Sequence, residues 1–189
     1  MDDLIGTQTP RRRLTDPAEA IRALERAVPG LAGLRRPVPA SVDWATLEDG
    51  LGTVLPADFK LLAELYPTFV LGDFLAVGLP EPGSEQMWAA GATDLEIIEE
   101  WLQDADESVA LRVYPAPGGL LGWAESNGGD FFLWSTCGAG SSDWTVTVAS
   151  RSGGWWHYAG GAVQFLSELV DGTVSPWGLP RIGGGVVTR

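Results

Sequence analysis

Residues 120–136 read LLGWAESNGGDFFLWST. Asn127-Gly128 is the strongest short-range hairpin signal a chain carries, because both central residues of the favoured two-residue turn need positive φ. Gly129 equally permits a three- or four-residue loop with a bulge, which leaves the register open by one residue. Leu121 and Trp123 alternate before the turn and Phe132 and Trp134 after it, so each strand has one apolar face. The stretch is a β-hairpin. Two further runs follow, DWTVTVAS at 143–150 and GWWHYAG at 154–160, with GAGSSD and RSGG as the intervening turns. Together the four strands predict an antiparallel meander.

Helical patterns flank the meander on both sides in sequence. Thr15-Asp16-Pro17 combines a capping oxygen with Pro at the first helical position, and Ala20, Ile21, Leu24, Ala27 and Val28 recur at helical spacing behind it. Asp43 caps a short helix bearing Trp44, Leu47 and Leu51. Pro56 opens another with Phe59, Leu62, Ala63 and Tyr66 as its stripe, stopped by Pro67. After a short strand over 72–77 and an irregular loop over 79–86, Thr93 or Asp94 starts a helix with the stripe Leu95, Ile98, Trp101 and Leu102. Glu96, Glu99, Glu100, Asp104 and Asp106 line its exposed side, and a weak strand is expected near 109–114. Ala162, Val163, Phe165, Leu166, Leu169 and Val170 form a last helix closed by Gly172. This order predicts an α+β domain, an antiparallel meander sheet with helices 56–66 and 162–170 packed on one face. Residues 1–41 read as an N-terminal arm with one helix and a Pro-, Gly- and Ala-rich linker, 42–175 as the domain, and 176–189 as an irregular C-terminal tail.

The chain has 189 residues, 45% apolar and 20% charged, with nine Trp, which suits one domain with a substantial core. No apolar run approaches the roughly 18 residues of a membrane span. The start, MDDLIGTQTPRRRL, has no apolar stretch after its arginines, so no secretory signal is expected. Cys137 is the single cysteine, which rules out an internal disulfide and suits a reducing, cytoplasmic setting. Residues 1–40 hold seven arginines against five acids; residues 41–189 hold five basic residues against twenty acids, a net of −15. Such a body repels nucleic-acid phosphates and anionic headgroups and attracts basic proteins, unless its acids serve solubility alone. Arg11-Arg12-Arg13 reads either as an arm for an anionic partner or as a disordered tail lying on the acidic body.

The run LEDGLGTVLPADFKLLAELYP resembles the N-terminal helical motif of the SUKH superfamily. LGWAESNGGDFFLWSTCGAGSSDWTVTV is similar to that family's signature meander, and AVQFLSELVDGTVS to its closing helix. The match spans about residues 43–175 in family order. The resemblance implies one α+β domain and a non-catalytic role. Bacterial relatives are mostly immunity proteins that bind and neutralise polymorphic toxins, many of them nucleases, and a fungal branch regulates cell-wall signalling. The expected function is therefore binding of a cognate toxin, with a regulatory adaptor for another cytoplasmic protein as the alternative.

Catalytic and metal chemistry find no support in the residue pattern. His157 is the only histidine and lies twenty residues after Cys137, without the companions a nucleophilic site or a zinc site needs. No acidic calcium loop occurs, and GGG at 183–185 lacks the Lys and the helix of a phosphate loop. No cofactor or metal is expected. The aromatics Trp123, Trp134 and Trp144 read as core. Trp155 and Trp156 are adjacent on a strand and point to opposite faces, so one of them is exposed as a partner anchor unless the sheet is covered on both sides. Glu125 and Asp130 flank the hairpin turn, as partner contacts or as turn-capping acids; Asp143 reads as turn chemistry. Replacing His157 by Gln or Cys137 by Ser is expected to leave toxin protection or partner binding unchanged at matched folded concentration. Loss of protection at an unchanged melting temperature would require a catalytic or metal site instead.

Overall fold

The computed structural model of the chain describes residues 4–104, 111–151 and 154–188. The strands are β1 (Leu4–Gln8), β2 (Phe69–Leu71), β3 (Leu75–Val77), β4 (Leu120–Ser126), β5 (Phe131–Ser135), β6 (Thr145–Ala149), β7 (Trp155–Tyr158) and β8 (Val186–Thr188). The helices are α1 (Pro17–Ala27), α2 (Trp44–Leu51), α3 (Ala57–Leu65), α4 (Glu85–Thr93), α5 (Glu96–Asp104) and α6 (Ala162–Asp171). The fold is α+β.

The hairpin closes on a three-residue loop. Gly129 donates to the Ser126 carbonyl (3.1 Å) and Ser126 to the Asp130 carbonyl (2.8 Å), with Gly129 at φ 85°. A tight turn followed by a left-handed residue is the loop that matches strand twist at this length. Register then runs Glu125 to Phe131, Ala124 to Phe132, Gly122 to Leu133 and Leu121 to Trp134, with Trp123 as the extra residue of a bulge. β5, β6 and β7 continue antiparallel as the sequence predicts, although Ser152 and Gly153 of the last turn lie outside the described residues.

Two features depart from a purely antiparallel meander. The sheet has eight strands in the order β1-β7-β6-β5-β4-β3-β2-β8, and β1 runs parallel to β7. An unpaired outer edge on β7 would leave backbone N–H and C=O groups open, and the N-terminal arm takes that place. Its direction follows from where the chain goes next: Gln8 ends beside Ala159, whose N–H donates to the Gln8 carbonyl (2.9 Å), and α1 packs on α6 and α3. Arg13 fastens the arm by donating to the carbonyls of Ala159 (3.1 Å), Ser142 (2.8 Å) and Trp144 (2.6 Å). The arginine-rich segment is thus part of the body, neither a free anion-binding arm nor a disordered tail. At the other edge β8, in the segment read as an irregular tail, pairs with β2.

The second departure is that helices cover both faces. The main core lies under α1, α2, α3 and α6, where Phe59 meets Trp134 edge-on (4.8 Å, 87°) and Phe165 packs on Phe132 (5.9 Å) and Trp156 (5.8 Å). The α5 stripe read from sequence is real, but it seals the opposite face: Leu95 and Ile98 close over Leu120, Leu133, Ala149 and Trp155, flanked by Trp101 and Leu102. Among the described residues the expected strand near 109–114 reduces to a bridge between Val113 and Leu120. Residues 109 and 110, and Asp106 of the expected acidic face, lie outside the described residues.

The caps explain where the helices start and stop. Asp16 accepts from Ala18 N–H (3.0 Å) and Asp43 from Thr46 N–H (3.1 Å), while Gly52 and Gly172 end α2 and α6 in the left-handed region. Asp58 joins two helices. Its carboxylate accepts from its neighbour Phe59 N–H (2.9 Å) in the first turn of α3 and from Val163 N–H (3.4 Å) in the first turn of α6. Gly161 is needed beside it, because a Cβ there would stand 2.9 Å from Asp58 Oδ2.

Asp58 is half-buried between these elements, and the burial of its carboxyl pushes its pKa above the ordinary 3.8 despite the two amides. A raised folded-state value means that the fold favours the neutral acid, so its contribution is fully present below 3.8 and is lost as pH rises through the folded value. Wild type is therefore expected to gain stability on Asp58→Asn as pH is lowered through that value. Urea midpoints of both chains measured across pH check this. A gap that shrinks towards acid would show that hydrogen bonding to the carboxylate outweighs burial.

Candidate binding surface

The four partner-contact candidates occupy very different places. Asp130 is buried, and both carboxylate oxygens are engaged. Oδ1 accepts from Arg151 N–H (2.9 Å) and the Ser150 hydroxyl (3.1 Å), and Oδ2 accepts from the Ser126 hydroxyl. The Ser126 oxygen in turn accepts from the Asp130 (2.9 Å) and Gly128 (3.1 Å) amides. Asp130 is the turn-capping acid of the two alternatives. Asp143 behaves likewise, accepting from Ala139 N–H (3.0 Å).

Trp155 and Trp156 do point to opposite faces, and both are 0% exposed. Trp156 sits in the main core with its indole N–H donating to the Trp177 carbonyl (2.9 Å); Trp155 lies under α5. The exposed anchor expected at one of the two is not present, because α5 supplies the second cover. Cys137 is exposed, while His157 bonds through Nδ1 to the Thr147 hydroxyl (2.8 Å), which also meets the Ser135 hydroxyl (2.7 Å). Burial pushes the imidazole pKa down. Among the described residues no hydrogen bond joins Cys137 to His157.

Glu125 alone of the four is exposed, and it stands on the rim of a groove. The cross-strand row on the second face runs Ala76, Glu125, Phe131, Ala149 and Trp155. α5 covers the β5–β7 end of this face. Beside this cover, along Ala76 of β3 and Gly122 to Glu125 of β4, a solvent-open groove of about 280 Å³ remains. Its apolar lining includes Trp88, Leu95 and Phe131, with the small residues Ala76, Gly78, Gly91 and Gly122 between them and Asp94 and Glu125 as its acids. Two walls are braced. The Trp88 indole donates to the Gly78 carbonyl (2.9 Å) and packs against Phe59 (5.6 Å), and Phe131 meets Trp101 edge-on (5.8 Å, 80°).

The sequence reading missed most of this groove, because α4 escaped it. EQMWAAGAT has no apolar stripe and carries Gly91 in its interior, where glycine costs about 0.5–1 kcal/mol relative to alanine. The usable signal was the run of helix formers Met87 to Ala90 behind Ser84-Glu85.

Charge around the groove is one-sided. Arg12, Arg22, Arg35, Arg36 and Lys60 pair with Glu19, Asp16, Glu25, Glu81 and Glu48. None of these five pairs includes Asp94, Glu96, Glu99 or Glu100, all exposed at the start of α5. Among the described residues these four arginines and Lys60 are held by acids outside this corner.

Truncating Trp155 or Trp156 to Ala is expected to cost about 3–5 kcal/mol of stability, and Asp130→Ala about 2–3 kcal/mol through its orphaned donors. Chemical denaturation checks this. A variant of Trp155 that keeps wild-type stability would mean that the α5 cover is not in place. Comparison of the chain with protein-family models, with curated proteins and with solved structures finds no match.

Proposed function

We propose that this chain is a non-enzymatic binding protein, an immunity protein of SUKH type that holds and neutralises a basic toxin domain such as a nuclease. The observation that carries the reading is the negative corner formed by α5 and the groove beside it, on a chain of net charge −13. An acidic surface attracts a basic protein and repels phosphate backbones and anionic lipid. The SUKH-like runs at 47–67 and 121–148 support the same reading, as does the commitment of His157 to a hydroxyl partner within the sheet. Co-expression with a toxin domain encoded by a neighbouring gene is the direct test. Survival of the host supports the proposal, and toxicity undiminished at high levels of folded chain overturns it.

Kinetics supply a sharper expectation. Complementary fields raise association towards roughly 10⁷–10⁹ M⁻¹s⁻¹ at low salt. Screening shortens the Debye length from about 30 Å at 0.01 M to about 8 Å at 0.15 M. Stopped-flow association with the toxin is therefore expected to slow steeply over that range while dissociation changes less. Asp94→Asn and Glu125→Gln act on the association rate. An association rate independent of salt would assign the acidic surface to solubility alone.

A further inference from the structure

Asn127 is the chain's only asparagine, and glycine follows it. It is exposed at the tip of the β4–β5 hairpin. Its side-chain amide donates to the Asp73 carbonyl (2.7 Å) and its backbone N–H to the Phe74 carbonyl (2.9 Å), so one residue ties this tip to the β2–β3 turn. The next amide is held as well. Gly128 N–H donates to the Ser126 hydroxyl oxygen (3.1 Å), whose own proton goes to the Asp130 carboxylate. Packing favours glycine at 128, because a Cβ there would stand 3.3 Å from Ser126 Oγ and 3.4 Å from Asp130 Oδ2. The tip thus keeps an asparagine, a thermolabile residue, before an amide nitrogen that no side chain of its own shields.

We propose that Asn127-Gly128 is a self-modifying site and that the ties at the hairpin tip set its rate. The Gly128 nitrogen attacks Asn127 Cγ, and the new N–Cγ bond closes a five-membered succinimide. The Cγ–Nδ2 bond breaks, and the proton from Gly128 leaves on ammonia. Water, the only co-reactant, then opens the ring. Opening at Cγ leaves aspartate at 127; opening at the backbone carbonyl leaves isoaspartate, with the side-chain carbons in the main chain.

The folded tip opposes closure of that ring. Gly129 N–H donates to the Ser126 carbonyl and neither Asn127 nor Gly128 has positive φ, so the pair forms the centre of a type I turn. Ring closure needs the backbone C–N bond of Asn127 nearly eclipsed with Cα–Cβ. A ψ of about −30° at the first central position holds the two nearly perpendicular. The reaction therefore waits for a local opening of the tip. Once it has occurred, the tie is lost. Aspartate has no N–H for the Asp73 carbonyl and sets a carboxylate against it, while isoaspartate lengthens the loop. The β3–β4 ladder secured by the tie pairs Leu75 with Ser126 and Ala76 with Glu125, along the groove. Conversion loosens that margin, independently of which partner the chain binds.

The test is incubation of the full folded chain beside the blocked peptide acetyl-Glu-Ser-Asn-Gly-Gly-Asp-amide. Mass spectrometry reads conversion at residue 127, and enzymatic methylation reads isoaspartate. The folded chain is expected to convert at Asn127, severalfold more slowly than the peptide, and the two rates are expected to meet in urea. Ser126→Ala releases the Gly128 amide and is expected to raise the folded rate. Should that variant fold poorly, hydrogen exchange of the wild-type Asn127 amide reads tip opening directly, and conversion is expected to rise with it in mild denaturant. Asn127→Gln, whose ring would have six members, is expected to stay intact. In converted chain separated by ion exchange, the amides of residues 126–129 are expected to lose protection while those of β6 keep it. Asn127 intact in the folded chain after many half-lives of the peptide, or equal folded and peptide rates, would overturn the proposal. A converted chain whose tip amides keep wild-type protection would do so too.

Discussion

Two large aromatic side chains in succession on an extended strand cannot share a face. Trp155 and Trp156 therefore require cover on both sides of β7, and much of the architecture answers that requirement. α6 and the C-terminal segment with Trp177 close over Trp156, and α5 closes over Trp155. Without α5, a large indole and a row of Leu and Phe side chains would face water, an apolar patch of the kind that drives association. The second layer in turn makes the groove, because the α5 cover runs from β7 to Leu120 at the start of β4 and leaves the row at Ala76 and Glu125 open beside it.

Much of the frame was legible in the residues themselves. The hairpin, the meander, the caps at Asp16 and Asp43 and the stripes of α1, α3, α5 and α6 follow from local rules of spacing and turn chemistry. The side of the sheet on which α5 lands does not, because amphipathicity states that a helix has an inner face without naming what it packs against. β1 and β8 were hidden for a related reason. A short edge strand pairs through its backbone, so LIGTQ and VVT need carry no strong pattern.

The candidate residues divide by the same logic. A carboxylate beside a Gly-rich turn looks alike in sequence whether it caps the turn or meets a partner, and only the donors around Asp130 separate the two. Glu125 was found because it is polar in an apolar strand. Trp88, Gly91 and Asp94 were not found, since their role arises from α4 and α5 meeting β4, a juxtaposition with no periodicity to betray it. The cations follow a simpler pattern: arm arginines close in sequence to their acids form local pairs, and α5, with no basic residue within reach along its own turn, stays negative.

The pairing of both chain ends with sheet edges has a geometric consequence. β1 and β8 stand at opposite margins of one sheet, separated by seven inter-strand spacings, or about 33 Å at the usual strand separation. Anything joined to the chain at one end leaves from one margin, and anything joined at the other leaves from the far margin. The sheet then acts as a strut between them. A tensile load applied through the two ends is borne first by the short ladders at the margins, and the aromatic layers in the middle are reached only after β1 or β8 has peeled away.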